Sequence, residues 1–178
     1  LFMGCQSAAF YVLIAWFPSM MSELQDISAA RSGWILFIYQ LFVLGSVSAV
    51  PLLIPRLADQ RWIGSGCAMF LMVAYSGLYA DPAHAMVWMM VMGLGAGSSL
   101  VLSLTLFGLR TSSAAETVAL SGMAQSIGYT LSALMPILLG YIHDQVMAWG
   151  MPLMIMIALC LLQVVMGYLS GRPRVIAS

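Results

Sequence analysis

Charged side chains are scarce in this sequence, and lysine is absent. Six arginines and six acidic residues make up 7% of the 178 residues, whereas 62% of the residues are hydrophobic. A soluble domain carries roughly 25% charged residues, so the composition excludes a soluble domain and indicates an integral membrane protein. The formal net charge of zero leaves no basic excess for a nucleic-acid partner, whose phosphates are bound by arginine and lysine.

Cysteines are few as well, and Cys5, Cys67 and Cys160 each lie within an apolar run. This spacing is not that of a disulfide framework or a metal site, and we predict no metal and no cofactor. The start of the chain has no initiator methionine and no basic segment, so it does not read as a signal peptide. Because the chain opens inside an apolar run, we expect membrane protein upstream of it.

Six apolar runs are each long enough to cross a bilayer core of roughly 30 Å, which takes about 20 helical residues. They are Leu1–Met21, Gly33–Ile54, Trp62–Ala80, Ala85–Leu109, Val118–Ile142 and Met147–Ser170. The connections are short, at Ser22–Ser32, Pro55–Arg61, Asp81–His84, Arg110–Thr117 and His143–Ala148. The prediction is an all-α membrane protein of six transmembrane helices.

The arginines predict the orientation, since short cytoplasmic loops are enriched in basic residues. Five arginines follow the second, fourth or sixth run and so lie on one side of the membrane: Arg56, Arg61, Arg110, Arg172 and Arg174. The sixth, Arg31, lies on the opposite side. Both ends of the chain are therefore predicted to be cytoplasmic.

A pattern of five residues in the second run and the loop after it recurs 85 positions later, around the fifth run. The matched residues are Gln40, Pro51, Leu53, Asp59 and Gln60 with Gln125, Pro136, Leu138, Asp144 and Gln145. Three spans separate the copies, so the two runs cross the membrane in opposite directions, as in an inverted 3+3 repeat. Chance matching in apolar sequence is the alternative.

Amides and phenols are the polar groups of interest within the runs. Gln40, Gln125 and Tyr129 are the first candidates for substrate or cavity contacts, and Gln6 and Tyr11 are the next. The alternative role is interhelical hydrogen bonding, worth on average about 0.6 kcal/mol. No aspartate, glutamate, lysine, arginine or histidine lies well inside a run, so we expect any coupling charge to lie elsewhere in the protein.

The fourth run contains a glycine motif. Gly93 and Gly97 make a GxxxG step, and Gly45 with Ala49 is a similar pair of small residues. We predict helix packing at both places. A serine-protease reading of Ser98 fails, because a nucleophile needs a base within hydrogen-bond reach and both histidines lie at helix ends or in loops.

Four stretches of the sequence resemble the cyanate porter family, which includes cyanate and nitroimidazole transport-like proteins of the major facilitator superfamily. The stretches are Phe2–Met21, Ser32–Trp34, Phe107–Thr111 and Leu120–Ala133. The resemblance extends over essentially the whole chain and implies helices seven to twelve of a twelve-helix transporter. The implied partners are the preceding six-helix half, lipid and a small solute.

The resemblance also implies alternating access in a bacterial cytoplasmic (inner) membrane, with the first, second, fourth and fifth runs lining the cavity. The superfamily's cytoplasmic gate motif, Gly-x-x-x-Asp-Arg with following basic residues, is partly kept: Pro55 replaces the glycine, while Asp59 and Arg61 remain. Together with Arg56, these residues form the predicted gate loop. A six-span scaffold without transport of its own is the alternative function.

Overall fold

The computed structural model describes residues 1–56 and 59–172, except for the side chain of Pro55. Its described residues form helices and turns and no strand. Arg174 and the Pro55 side chain, both used in the predictions above, lie outside the described residues. Six α-helices follow one another: α1 Phe2–Gln25, α2 Ala29–Leu53, α3 Arg61–Ala80, α4 Ala85–Leu109, α5 Ala114–Val146 and α6 Gly150–Ser170.

Three connections are shorter than predicted, because capping residues extend the helices into them. Ser28 caps α2 by accepting a hydrogen bond from the Arg31 N–H at 3.4 Å, so the predicted loop Ser22–Ser32 shrinks to residues 26–28. Ser113 caps α5 in the same way through the Glu116 N–H at 3.3 Å. Serine at the N-cap satisfies an amide that the helix leaves unpaired.

The predicted loop His143–Ala148 is also wrong at its start. Helix α5 continues through His143 to Val146 and ends where Met147 adopts a left-handed conformation, with φ 49°. The Met147 N–H donates to the His143 carbonyl, a common way to close a helix. His143 therefore lies in the last helical turn.

Five of the helices, α2 to α6, are long and apolar enough to cross a membrane. The remaining long helix, α1, contains Gln6, Ser7, Tyr11 and Pro18, which lower its apolar character.

The helices pack in pairs. The most extensive contacts join α1 to α5, α2 to α4, and α3 to both α4 and α6. Glycines bring backbones together in each pair: a Cβ added to Gly4 would lie 3.1 Å from the Gly128 Cα, and one added to Gly64 would lie 2.7 Å from the Gly167 carbonyl oxygen. Small residues at such crossings allow close van der Waals packing between helices.

The two ends of the bundle carry different ionisable side chains: arginines gather at one end and the histidines lie at the other. Arg56, Arg61, Arg110 and Arg172 define the arginine end, where Arg110 joins the ends of α4 and α6. His84 and His143 define the histidine end, where α1, α5 and α6 meet. Between the ends, the described spans hold only neutral polar groups.

Candidate functional site

Helix α5 carries a stripe of polar residues at four-residue spacing, which places them on one helix face. The Gln125 Nε2 donates to the Ser121 Oγ at 2.6 Å, and Gln125 is half-buried. Tyr129 follows one turn later with 46% of its surface exposed. A hydroxyl, an amide and a phenol thus share one accessible face.

Gln40 lies on an exposed face of α2 and has no side-chain hydrogen bond to another described residue. Its neighbour Tyr39 points the other way and is fully buried, with no partner for its hydroxyl among the described residues. No hydrogen bond joins Gln40 to Gln125 within the described chain. An amide exposed on a membrane helix is costly in lipid, so it requires a polar neighbour or a wet cavity.

The two candidates on α1 lie on different faces. Gln6 is buried and accepts a hydrogen bond from the Ser7 Oγ at 3.3 Å. Tyr11 is 47% exposed and stands edge-on to Phe10, with 5.3 Å between the ring centroids. Phe10 in turn lies 6.4 Å from the Tyr39 ring, so this aromatic row links Tyr11 to the helix that carries Gln40.

Sequence reasoning missed Gln163, a fully buried amide on α6. Its Nε2 donates to the Ser99 Oγ on α4 at 3.2 Å, while its Oε1 has no partner among the described residues. The Ser103 Oγ donates to the Ser99 carbonyl at 2.7 Å. The available signal was that Gln163 is the only amide in the otherwise apolar sequence of α6.

Gln6 and Gln163 lie at the same level of the bundle. Phe2 packs on Gly167 and Trp16 on Trp149, so α1 and α6 run antiparallel. Counting one turn inward from Phe2 and from Gly167 reaches Gln6 and Gln163. The core therefore contains a buried polar layer of amides and serine hydroxyls.

At the arginine end, two of the predicted gate residues, Asp59 and Arg61, contact each other. The Asp59 carboxylate accepts the Arg61 N–H at 2.9 Å and forms an ion pair with the Arg61 Nε at 3.3 Å. The Arg61 guanidinium also lies 5.5 Å from the centre of the Tyr168 ring on α6. Arg56 is exposed to solvent.

Arg110 was counted in the sequence only for its charge, yet it connects three segments of this end. Its guanidinium donates to the Ser170 carbonyl at 3.2 Å, the Gly171 carbonyl at 3.0 Å and the Gln60 side-chain oxygen at 2.9 Å. Burial lowers the pKa of Arg110, and the nearby Asp59 carboxylate raises it. Arg110 thereby satisfies carbonyls that the end of α6 leaves unpaired.

A cavity of about 440 Å³ opens at the arginine end between α1, α4, α5 and α6. Its walls are mostly apolar, with Ser103, Ser170, Arg110 and Arg172 as the polar lining residues. The described residues contain no cluster of three or more histidine, cysteine or acidic side chains that could hold a metal ion.

The glycines of α4 lie against neighbouring backbones. A Cβ on Gly93 would stand 2.6 Å from the Tyr39 carbonyl oxygen of α2, and Gly97 contacts Ser46 of the same helix. The predicted packing at Gly45 and Ala49 is wrong within this chain: both are exposed, and nothing lies within 4 Å of a Cβ on Gly45. The pattern of small residues did not reveal that these two point away from α4.

The described features are those of a multi-pass membrane protein, and comparison with known proteins shows what the chain resembles. The chain is 40% identical, over an alignment of 178 residues, to an uncharacterized transporter, YycB, of Bacillus subtilis (strain 168), and the alignment covers 99% of the chain. It is 40% identical over 174 residues, or 98% of its length, to the 2-nitroimidazole transporter of Escherichia coli (strain K12). In each case the aligned region is 44% of the relative.

A third relative, from Thauera aromatica, is proposed to be an anionic 4-hydroxy-benzoate permease. It is 39% identical over 105 residues, which make up 59% of this chain and 64% of that protein. No family model and no solved structure matches the chain. The chain thus resembles transporters and permeases rather than enzymes, and it spans less than half the length of the first two relatives.

Proposed function

We propose that the chain forms one six-helix half of a secondary transporter that moves a small polar or anionic organic solute by alternating access. The observation that carries the proposal is the alignment of almost the whole chain with 44% of two proteins named as transporters. The rest of each relative leaves room for a second bundle of similar size.

In this proposal α1 also crosses the membrane, which brings the number of spans to six. The bundle is an inverted 3+3 repeat of the major facilitator type, close to the cyanate porters. The pairing of helices supports the repeat, in which α1 corresponds to α4, α2 to α5 and α3 to α6. Under this correspondence the contact between α1 and α5 matches the contact between α4 and α2, and α3 packs on its own counterpart α6. Inverted repeats are known within the six-helix halves of such transporters. The 85-residue offset between Gln40 and Gln125 agrees with it.

The solute is proposed to bind between the two halves, against the exposed faces of α2 and α5. Gln40, Gln125 and Tyr129 are the first contacts, with Tyr11 beside α2 and Gln6 deeper in the bundle. Support comes from the exposure of Gln40, Tyr11 and Tyr129, since polar groups at membrane depth normally face a cavity or a neighbouring helix.

Amides and phenols both donate and accept hydrogen bonds, so this site suits a planar solute with polar edges. The names of two relatives, a 2-nitroimidazole transporter and an anionic 4-hydroxy-benzoate permease, are consistent with such a solute. Cyanate is the smaller anion suggested by the sequence resemblance. These three compounds define the test panel.

The arginine end is proposed to face the cytoplasm of a bacterial cell, with the bundle in the cytoplasmic membrane. Four described arginines lie at this end and Arg31 at the other, in line with the preference for basic cytoplasmic loops. Arg56, Asp59 and Arg61 would then act as the cytoplasmic gate. The contacts of Arg61 and Arg110 with the end of α6 support a role in holding that end closed.

The test is uptake of labelled 2-nitroimidazole, 4-hydroxybenzoate and cyanate into vesicles that contain the full-length parent protein. We expect one compound to accumulate, and Gln125→Ala and Gln40→Ala each to reduce uptake at least about tenfold, as when a buried polar partner is removed. Thr130→Ala is the matched control, because among the described residues its hydroxyl bonds only to the Ser126 carbonyl of its own helix.

The outcomes separate the hypotheses. Uptake that survives both glutamine substitutions would place the solute elsewhere while leaving the transporter intact. Absence of uptake for every compound, with normal protein levels in the membrane, would favour a scaffold without transport.

A further inference from the structure

At the histidine end, one carboxylate joins three helices. The Glu23 Oε2 on α1 accepts hydrogen bonds from the His143 Nε2 on α5, at 2.8 Å, and from the Trp149 Nε1 at the start of α6, at 2.9 Å. The His143 imidazole stacks on the Trp149 indole, with 4.1 Å between centroids and 28° between planes. No other described cluster ties the ends of α1, α5 and α6 together in this way.

Both nitrogens of His143 face acidic groups. Nε2 contacts Glu23, and Nδ1 lies 3.6 Å from the Asp144 Oδ1 of its own helix. From α6, the group that faces the imidazole is the uncharged indole of Trp149. A neutral imidazole has one N–H, whereas the protonated ring donates from both nitrogens.

His143 lies in the last turn of α5, at the histidine end of the helix. His143 is largely shielded, at 9% exposure, while Glu23 is about half exposed. Protons can therefore reach the cluster from the aqueous side, although the imidazole itself is packed.

We propose that the Glu23–His143–Trp149 cluster is a proton-sensitive tether that holds the ends of α1, α5 and α6 together when His143 is protonated. Histidine changes its charge between about pH 5 and pH 8. Acidification at the histidine end converts the neutral hydrogen bond between His143 and Glu23 into an ion pair. This favours the arrangement in which the ends of α1, α5 and α6 are held together. Deprotonation weakens the tether and favours separation of α1 from α5, so pH shifts the population between two conformations.

A second histidine supplies an internal control. His84 and Asp81 also form a close pair, with 2.6 Å between Nδ1 and Oδ2, but both side chains are largely exposed and lie within one turn of the α3–α4 connection. Protonation of His84 leaves the spacing of the long helices unchanged, because its partner belongs to the same short segment. The two histidines differ in what they connect.

The experiment measures the distance between spin labels on α1 and α5 in the full-length parent protein. The labels are attached at Gln25→Cys and Gln145→Cys, which are exposed positions next to the tether. The native Cys5, Cys67 and Cys160 are buried, and any other reactive cysteine of the parent is replaced. Distance distributions are recorded at pH 5.5 and pH 8 in lipid nanodiscs, without solute.

We expect the population with the longer distance to grow about two- to fivefold at pH 8, the effect of losing one partly exposed ion pair. His143→Gln should show the same distribution at both pH values, and His84→Gln should respond like the unmodified protein. A distribution that does not change with pH, or a change that persists in His143→Gln, would overturn the proposal.

Glu23→Gln provides a second test should His143→Gln fail to reach the membrane. Its pH response should likewise disappear, because the acceptor no longer carries charge, and a retained response contradicts the tether. The readout is a distance and not transport. The result therefore stands apart from the identity of the solute and from the outcome of the uptake assay.

Discussion

Gln163 donates a hydrogen bond to Ser99 across 3.2 Å in the buried core, joining α6 to α4. The other side of the same amide, Oε1, has no partner among the described residues. A buried polar atom without a partner costs free energy that its paired counterpart does not. The Gln163 side chain thus combines a favourable hydrogen bond at Nε2 with an unfavourable unpaired oxygen at Oε1.

Removing one partner or the other should therefore have unequal effects on stability. Ser99→Ala leaves the whole Gln163 amide unpaired and should lower the free energy of unfolding by about 0.6–1.7 kcal/mol. Gln163→Leu removes the unpaired oxygen together with the bond and leaves only the Ser99 hydroxyl without its partner, so its loss of stability should be smaller. Thermal unfolding of the purified protein measures both.

A double variant completes this test. Ser99→Ala combined with Gln163→Leu should recover the stability that Ser99→Ala loses. Equal losses in the two single variants would contradict this account of the buried amide.

Gly93 should tolerate no side chain. Its Cβ position lies 2.6 Å from a carbonyl oxygen of α2, so Gly93→Ala forces the helices apart and should cost about 1–3 kcal/mol of stability. The matched control is Gly45→Ala, where nothing lies within 4 Å. Melting temperatures of the two variants should differ clearly, and similar values would show that α2 and α4 do not approach closely here.

Arg110 should be needed for the integrity of the arginine end. Arg110→Ala removes three hydrogen bonds to α6 and to Gln60 and should lower stability by about 1–3 kcal/mol. Arg110→Lys should restore little, because an ammonium cannot reproduce the planar fork of donors.

Limited proteolysis after α6, together with thermal unfolding, measures this effect. Arg56→Gln serves as the control, since Arg56 is exposed and carries a similar charge. Equal protease sensitivity of the Arg110→Ala and Arg56→Gln proteins would mean that charge alone matters at this end.

Tyr129 should contribute to uptake through its hydroxyl. Tyr129→Phe keeps the ring and removes one hydrogen-bonding group, so uptake of the accepted compound should fall about three- to tenfold, as for the loss of one neutral hydrogen bond. Tyr141→Phe is the control, because Tyr141 is 64% exposed on the same helix but three turns nearer the histidine end. Equal effects of the two substitutions would argue against a solute contact at Tyr129.

Helix existence was predictable from the sequence, while helix ends were not. The apolar runs located all six helices because each is about as long as a bilayer is thick. The runs ended too early at Met21 and Ile142 and began too late at Val118, because turns rich in polar residues are still helical there. Ser113 and Met147 fix the two ends of α5 through cap and backbone geometry, which hydropathy does not register.

The candidate site was only partly accessible to sequence reasoning. Gln40, Gln125 and Tyr129 stand out as polar groups in apolar runs, and in the structure Gln40 and Tyr129 are exposed while Gln125 is half-buried. Gln163 looks similar in sequence but is fully buried. Hydropathy treats all four alike, and the direction of a side chain depends on which helix covers that face.

The sequence by itself determined that this is a helical membrane protein, because low charge and long apolar runs are compatible with little else. It also located five of the six arginines at one end of the predicted bundle. Only the tertiary structure decided that Glu23, His143 and Trp149 meet, because Glu23 and His143 are 120 residues apart in the sequence. Contacts between distant helices depend on how their faces pack, and packing is a property of the assembled bundle rather than of any single segment.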